Sequence, residues 1–329
     1  NYDSRSRLMK MTDQLGRVES YEYDTSDNLI SMTDRKVQIT TYIYDLMNRI
    51  TRADYAEGSY TTYAYDTLGR LTTITDSVSG TISYTYTGTG CGTGCSNVPD
   101  KIASEITPLG TIDYTYDNIG RRKTMTVAGQ PVVNYDYYDN GWIENVRQVV
   151  NAVEQKFNFT YDNGGRRRFL KYFQGTDTTP TMQTTYGFDN ANRLLNLEYL
   201  NPLNQILESI GYTYDANGNK ITMNRPSVSL PLPNQASNTS YNEANQMLSF
   251  NDKNITYDNN GNMTSVTNSC GTTNYTWDVR NRLTAINGFT SSCGTLSASF
   301  KYDAFGRRIE KTINGVMTKY LYDGADIIQ

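Results

Sequence analysis

Aspartate is the reactive side chain that this sequence repeats, and its spacing decides what it can do. It follows tyrosine in Tyr23-Asp24, Tyr44-Asp45, Tyr65-Asp66, Tyr116-Asp117, Tyr161-Asp162, Tyr214-Asp215, Tyr257-Asp258 and Tyr302-Asp303. Paired carboxylates can serve as general acid and base. These copies all fall at turn positions, however, so choosing any two as a catalytic dyad would be arbitrary. Histidine is absent, which removes the commonest general base and the commonest metal ligand together. No phosphate-binding loop, dinucleotide fingerprint, nucleophile elbow or zinc-protease motif occurs. We therefore expect no catalytic, cofactor-binding or metal residues and no enzyme.

The elements that carry these aspartates come from the period. Tyr2, Tyr23, Tyr44, Tyr65 and Tyr86 are 21 residues apart. The beat then loosens through Tyr116, Tyr138, Tyr161, Phe188, Tyr214, Tyr241, Tyr257, Trp277, Tyr302 and Tyr322. A fixed period of this length is the signature of a repeat architecture. In each copy a Tyr-x-Tyr pair, such as Tyr63/Tyr65, places two aromatics on one face of a strand. Asp-x-x-Gly then reads as a type I turn with a bulge. Its fourth position holds Gly69, Gly120, Gly165, Gly218, Gly261 and Gly306, or Asn48, Asn192, Asn245 and Asn281, with Ser6 and Asp27 as departures. Glycine and asparagine reach positive φ at least cost. Arg or Asn follows, then an apolar residue and a Thr-rich returning strand. The expected fold is all-β: stacked β-hairpins in one long, spiralling antiparallel sheet, with aromatics stacked in a buried strip and aspartates capping turns.

The chain reads as a single array over 1–329, with irregular insertions near 87–111 and 225–240. The first carries Cys91 and Cys95 in a Gly-rich loop, and the second carries Pro226, Pro231 and Pro233, which break a ladder. That second stretch is an excursion from the sheet or a linker between two arrays. Cys270 and Cys293 are 23 residues apart, close to one repeat, and so lie on neighbouring strands within disulfide reach. Cys91 and Cys95 can close a small loop. Two bridges imply an oxidising compartment. Free thiols are the alternative, and a four-cysteine zinc site is a third reading with poor ligand spacing. Asn158, Asn238, Asn254, Asn262 and Asn274 open N-x-S/T sequons, of which chance supplies several. The run Arg166-Arg167-Arg168 reads as a blunted strand edge.

Net charge is −4 with both signs interspersed, so no basic patch suits nucleic acid. No apolar run is long enough for a membrane-spanning helix. The chain opens inside one repeat and stops inside another, which reads as a fragment of a longer protein.

Tyr65-Asp66-Thr67-Leu68-Gly69-Arg70-Leu71, Tyr302-Asp303-Ala304-Phe305-Gly306-Arg307 and Thr12-Asp13-Gln14-Leu15-Gly16-Arg17-Val18 resemble the YD repeat. That repeat is found in Rhs proteins, in the C component of insecticidal Tc toxins and in teneurins. Tyr214-Asp215-Ala216-Asn217-Gly218-Asn219 and Tyr320-Leu321-Tyr322-Asp323-Gly324 fit the same pattern, and the repeat texture is bacterial in style. The resemblance implies a ribbon that spirals into a hollow shell enclosing a C-terminal toxin, which a self-cleaving core segment releases. Neither that core nor a toxin is recognised here, so neither activity passes to these residues. The expected function is a structural shell segment of a secreted or surface protein that encapsulates or carries a cargo domain. Its partners would be the rest of its own polypeptide, the Rhs core and the cargo. The alternative is an extracellular adhesive, carbohydrate-binding or fibre-forming protein that contacts carbohydrate, a cell surface or copies of itself.

Overall fold

The computed structural model describes residues 1–88, 99–228 and 236–328. Cys91 and Cys95, most of the Gly-rich loop, and Pro231 and Pro233 lie outside the described residues. Every regular element among the described residues is a strand, as the alternating pattern requires. Consecutive strands pair antiparallel from Lys10–Thr12 to Lys220–Asn224 in a 19-stranded sheet. A nine-stranded sheet runs in the same way from Thr239–Tyr241 to Val316–Lys319, and Tyr322–Asp323 pairs with Asp326–Ile327.

Register follows from the repeat. Tyr63 faces Ile74, Ala64 faces Thr73, and Tyr65 faces Leu71, with a one-residue shift between Ala64 and Tyr65. The same shift precedes Tyr23, Tyr44, Tyr116, Tyr137 and Tyr302. A bulge of this kind increases local twist and re-aims the side chain beside it.

The chain divides into two compact units. One comprises Asn1–Tyr84, Glu105–Gly110 and Asn234–Gln329; the other comprises Thr85–Ser104 and Thr111–Pro233. In the first, Ala53, Thr61, Ile74, Asp76 and Ile82 are buried on one face of paired strands. In the second, Ile112, Tyr114, Met125 and Val127 are buried on paired strands. Most other residues are half-buried, as expected where each hairpin packs mainly on its neighbours.

The expected aromatic strip is replaced by a different packing. The ring pairs among the described residues are Tyr138–Tyr161, Trp142–Tyr161 and Phe157–Tyr172. Most other repeat rings meet a cation, for example Tyr23, Tyr65, Tyr137 and Tyr214. The arginine run is also not an edge: Arg167–Gln174 pairs on both sides. Arg167 lies over Phe159, and Arg168 over Phe169.

Candidate functional site

The unit of construction is one turn. Asp66 Oδ1 accepts the Leu68 and Arg70 N–H groups, each at 2.9 Å, and Oδ2 accepts Arg70 Nε at 2.7 Å. The backbone closes with Gly69 N–H to Asp66 O at 3.0 Å and Asp66 N–H to Arg70 O at 2.9 Å. This closure sets φ at +82° for Gly69, and Gly120, Gly165, Gly218, Gly261 and Gly306 sit at +85°, +78°, +86°, +91° and +80°. Asp45, Asp117, Asp162 and Asp303 hold Arg49, Arg121, Arg166 and Arg307 in the same way. Asp24, Asp215 and Asp258 hold Asn28, Asn219 and Asn262 instead. The Arg49 side chain and backbone N–H hold the Asp45 carboxyl below the usual aspartate range. Carboxylates so committed are hydrogen-bond acceptors in a turn.

Two further roles tie one hairpin to the next, and neither follows from a single repeat. In most repeats the tyrosine that leads into the turn donates its hydroxyl back to the preceding hairpin: Tyr44 to Leu29 O at 2.9 Å, Tyr65 to Ile50 O at 2.9 Å, and Tyr137 to Arg122 O at 2.7 Å. Trp277 keeps the bond with its indole N–H, to Met263 O at 2.7 Å. The beat therefore falls on Tyr137, and Tyr138 stands in the aspartate position. The turn arginine reaches forward. Arg193 Nη1 donates to Asp215 O at 3.1 Å while its guanidinium covers the Tyr214 ring at 4.8 Å. The signal for this role was the arginine that follows the fourth turn position in copy after copy.

A second row of turns lies at the opposite strand ends. Asp13, Asp34 and Tyr55 each accept the N–H three residues on and donate to the carbonyl four residues on. In the first unit this row meets turns of the nine-stranded sheet. Asn260 Nδ2 donates to Asp34 Oδ2 at 2.6 Å, and Lys36 Nζ lies 3.3 Å from Asp258 Oδ2. Arg280 pairs with Asp76 at 2.5 Å and covers the Tyr55 ring at 4.4 Å. Arg307 Nη2 lies 3.3 Å from Glu105. Burial opposes ionisation of Asp76, but Arg280 and the Val78 and Ser79 N–H groups outweigh it and lower its pKa. At Glu105 burial dominates, and the pKa is raised despite Arg307. A cavity of about 380 Å³ adjoins this seam, lined in part by Glu57, Ser79, Arg280 and Tyr302. No group of three metal-ligating side chains occurs among the described residues.

This geometry is a chain of hairpins locked by one recurring pattern, and known proteins share stretches of its sequence. Residues 171–327 match the teneurin YD-shell family, and residues 2–36 and 49–82 match the RHS repeat. The matched segments carry YD/RHS repeats. A stretch of 115 residues, 35% of the chain, is 41% identical to the tRNA nuclease WapA of Bacillus subtilis strain 168. The tRNA(Glu)-specific nuclease WapA of Bacillus subtilis subsp. natto is 45% identical over 87 residues, 26% of the chain. Each alignment spans 4% of the relative's own length. Among solved structures, 94% of the chain superposes on 23% of a chain in the TcdB2-TccC3-Cdc42 crystal structure, with a TM-score of 0.46 and 16% identity. The Photorhabdus luminescens Tc holotoxin pore with the TccC3 D651A mutation is matched over 94% of this chain and 22% of that one, at a TM-score of 0.41 and 14% identity.

The YD repeats also explain the cysteine pair. Cys270 and Cys293 form a disulfide with Cα atoms 5.0 Å apart. They join two loops at the same end of successive hairpins, after strands Met263–Asn268 and Leu283–Phe289. Cys293 takes the left-handed turn position itself, at φ 63°.

Proposed function

We propose that this YD-repeat chain is a wall segment of a secreted or surface-displayed Rhs-like protein, and that it encloses or carries a cargo domain of the same polypeptide. The observation that supports this reading is the commitment of the repeat's polar groups to holding hairpins together. The turn carboxylates, their arginines and the tyrosine hydroxyls are all taken up in the ladder. A ladder locked at every step suits a solvent- and protease-excluding wall, and the single array expected over 1–329 fits it. The relatives named as nucleases are matched over only 4% of their own length, so the chemistry of any cargo is left to residues outside the match.

Protease protection tests the proposal. The full polypeptide containing these residues is digested, and the rate of cleavage in its non-repeat domain is compared with that domain alone. Protection of at least about tenfold, lost when the repeats are unfolded, is expected. Equal cleavage rates would reject encapsulation. A fibre-forming reading draws on the exposed strand Val316–Lys319 at the edge of the nine-stranded sheet, since an open edge can pair with another chain. Concentration-dependent sedimentation, abolished by Thr318→Pro, would favour it.

A further inference from the structure

One turn replaces both defining residues of the YD pattern with aromatic side chains. Between Tyr137 and Ile143 the aspartate position holds Tyr138 and the arginine position holds Trp142. The backbone is unchanged: Tyr138 N–H donates to Trp142 O, and Gly141 N–H to Tyr138 O, each at 2.9 Å. In neighbouring repeats Arg121 lies over Tyr137 and Arg166 over Phe188. Here Trp142 takes that place against Tyr161, with ring centroids 5.0 Å apart at 46°, and Tyr138 meets the same ring edge-on at 6.3 Å and 82°. The Tyr138 and Tyr161 hydroxyls are anchored on Phe159 O at 3.0 Å and Ile143 O at 3.1 Å. The rings are therefore held in place. Gly165 lets the indole come close, since a Cβ there would sit 2.8 Å from Trp142 Cζ2.

The result is an open cleft of about 470 Å³ lined by Tyr138, Asp139, Asn140, Trp142, Thr160 and Tyr161. Trp142 is 37% exposed. Asp139 and Asn140 stand exposed in the lining. Asn140 Oδ1 accepts the Trp142 N–H at 3.1 Å, which leaves its amide N–H groups to donate. The Thr160 hydroxyl is buried in the wall without a hydrogen-bond partner.

These groups select among ligand classes. An organic cation over an exposed ring gains only about 0.5–1 kcal/mol because it stays hydrated. An added peptide strand needs a free edge, but the strands on either side of this turn are paired on both sides. A sugar ring presents an apolar C–H face to an indole and a rim of hydroxyls that donate and accept. That rim matches the exposed carboxylate of Asp139 and amide of Asn140 at the edge of an aromatic surface. We propose that this cleft binds a mono- or disaccharide unit of a neutral glycan, stacked on Trp142 and hydrogen-bonded by Asp139 and Asn140. The proposal is independent of the shell reading.

The test is titration of the intact chain with cellobiose, maltose, lactose and N,N′-diacetylchitobiose, with tetramethylammonium chloride as the cationic probe. Binding is read by calorimetry and by intrinsic fluorescence, Trp142 being one of two tryptophans. Saturable binding of at least one disaccharide is expected. Trp142→Ala should weaken it about tenfold or more. The exposed double variant Asp139→Ala/Asn140→Ala, chosen to leave the fold intact, should weaken it roughly fivefold. Trp277→Phe should leave it unchanged. Absence of binding to all four sugars by protein with native melting overturns the proposal. A response to tetramethylammonium alone does so too, as does sugar binding that neither cleft variant affects.

Discussion

A tyrosine hydroxyl is the smallest group on which this architecture depends. Phenylalanine would supply the same ring area, yet the position before the turn is filled by Tyr44, Tyr65, Tyr137 and Tyr302, and Trp277 replaces the hydroxyl with another donor. Phe188 is the copy that lacks one. Tyr137→Phe should therefore cost about 0.5–1.5 kcal/mol, the net worth of one intramolecular hydrogen bond. Chemical denaturation would measure it, and a neutral result would return the ring to a purely packing role. Backbone conformation gives a second residue-scale prediction. Gly306 sits at φ +80° with nothing within 4 Å of its absent Cβ, so only backbone strain separates substitutions there. Gly306→Val should lose about 1–2 kcal/mol or more, and Gly306→Asn much less. The inverse case is Val37, a β-branched residue at φ 63° and 79% exposed. Val37→Asn should stabilise by about 1 kcal/mol. Equal melting of the Val and Asn variants at 306 would refute the turn geometry.

Hairpins are the scale at which sequence and structure part company. The turn that follows each Tyr-Asp was legible because Asp at its first position and Gly or Asn at its fourth state a local conformation. The opposite row carries the same spacing at Asp13, Asp34 and Asp76, but Tyr55 interrupts its chemistry and Val37 its conformational signature. The forward reach of Arg193 onto Tyr214 depends on where the next hairpin lies, which no single repeat encodes. The Tyr138/Trp142 exchange was written in the sequence, yet the beat counted on Tyr138 concealed that it replaces the Asp/Arg pair. The seam is the least legible feature: Asp76 and Arg280 are 204 residues apart and meet only after both sheets form. With side-chain exposures of 1% and 14%, this pair is buried enough for removal of one partner to strand the other. Arg280→Met should cost about 3–5 kcal/mol, and Asp76→Leu/Arg280→Met together much less. A double-mutant cycle on melting measures the difference as a coupling energy. Additive single effects would show that the pair is screened rather than coupled.

Across the whole molecule, stability is spread over many neighbour contacts, and few side chains are fully buried. Such an array is sensitive to conditions that weaken many small contacts together. The carboxylates give that sensitivity opposite signs at two points. Asp76 has a lowered folded-state pKa. Its contribution is present above the ordinary aspartate value of 3.8 and is lost as pH falls through the folded value. Asp45 and Asp162, lowered by Arg49 and Arg166, act in the same direction. Glu105 runs the other way. Burial raises its pKa, Arg307 and Tyr84 oppose that rise, and Asp323 adds to it. Its contribution is full below the ordinary glutamate value of 4.5 and is lost as pH rises through the folded value. Acid should therefore melt the protein through the turn aspartates, while Glu105 imposes a separate decline on the neutral side of 4.5. Glu105→Gln keeps the shape and removes that titration. Melting temperatures of the two proteins, compared from about pH 4 to pH 8, should show the variant gaining on the wild type as pH rises and then levelling off. A constant offset would mean that Glu105 stays charged in the folded state. In that case the Arg307 contact would be an ordinary ion pair, and the neutral-side sensitivity of this unit would have to come from another group.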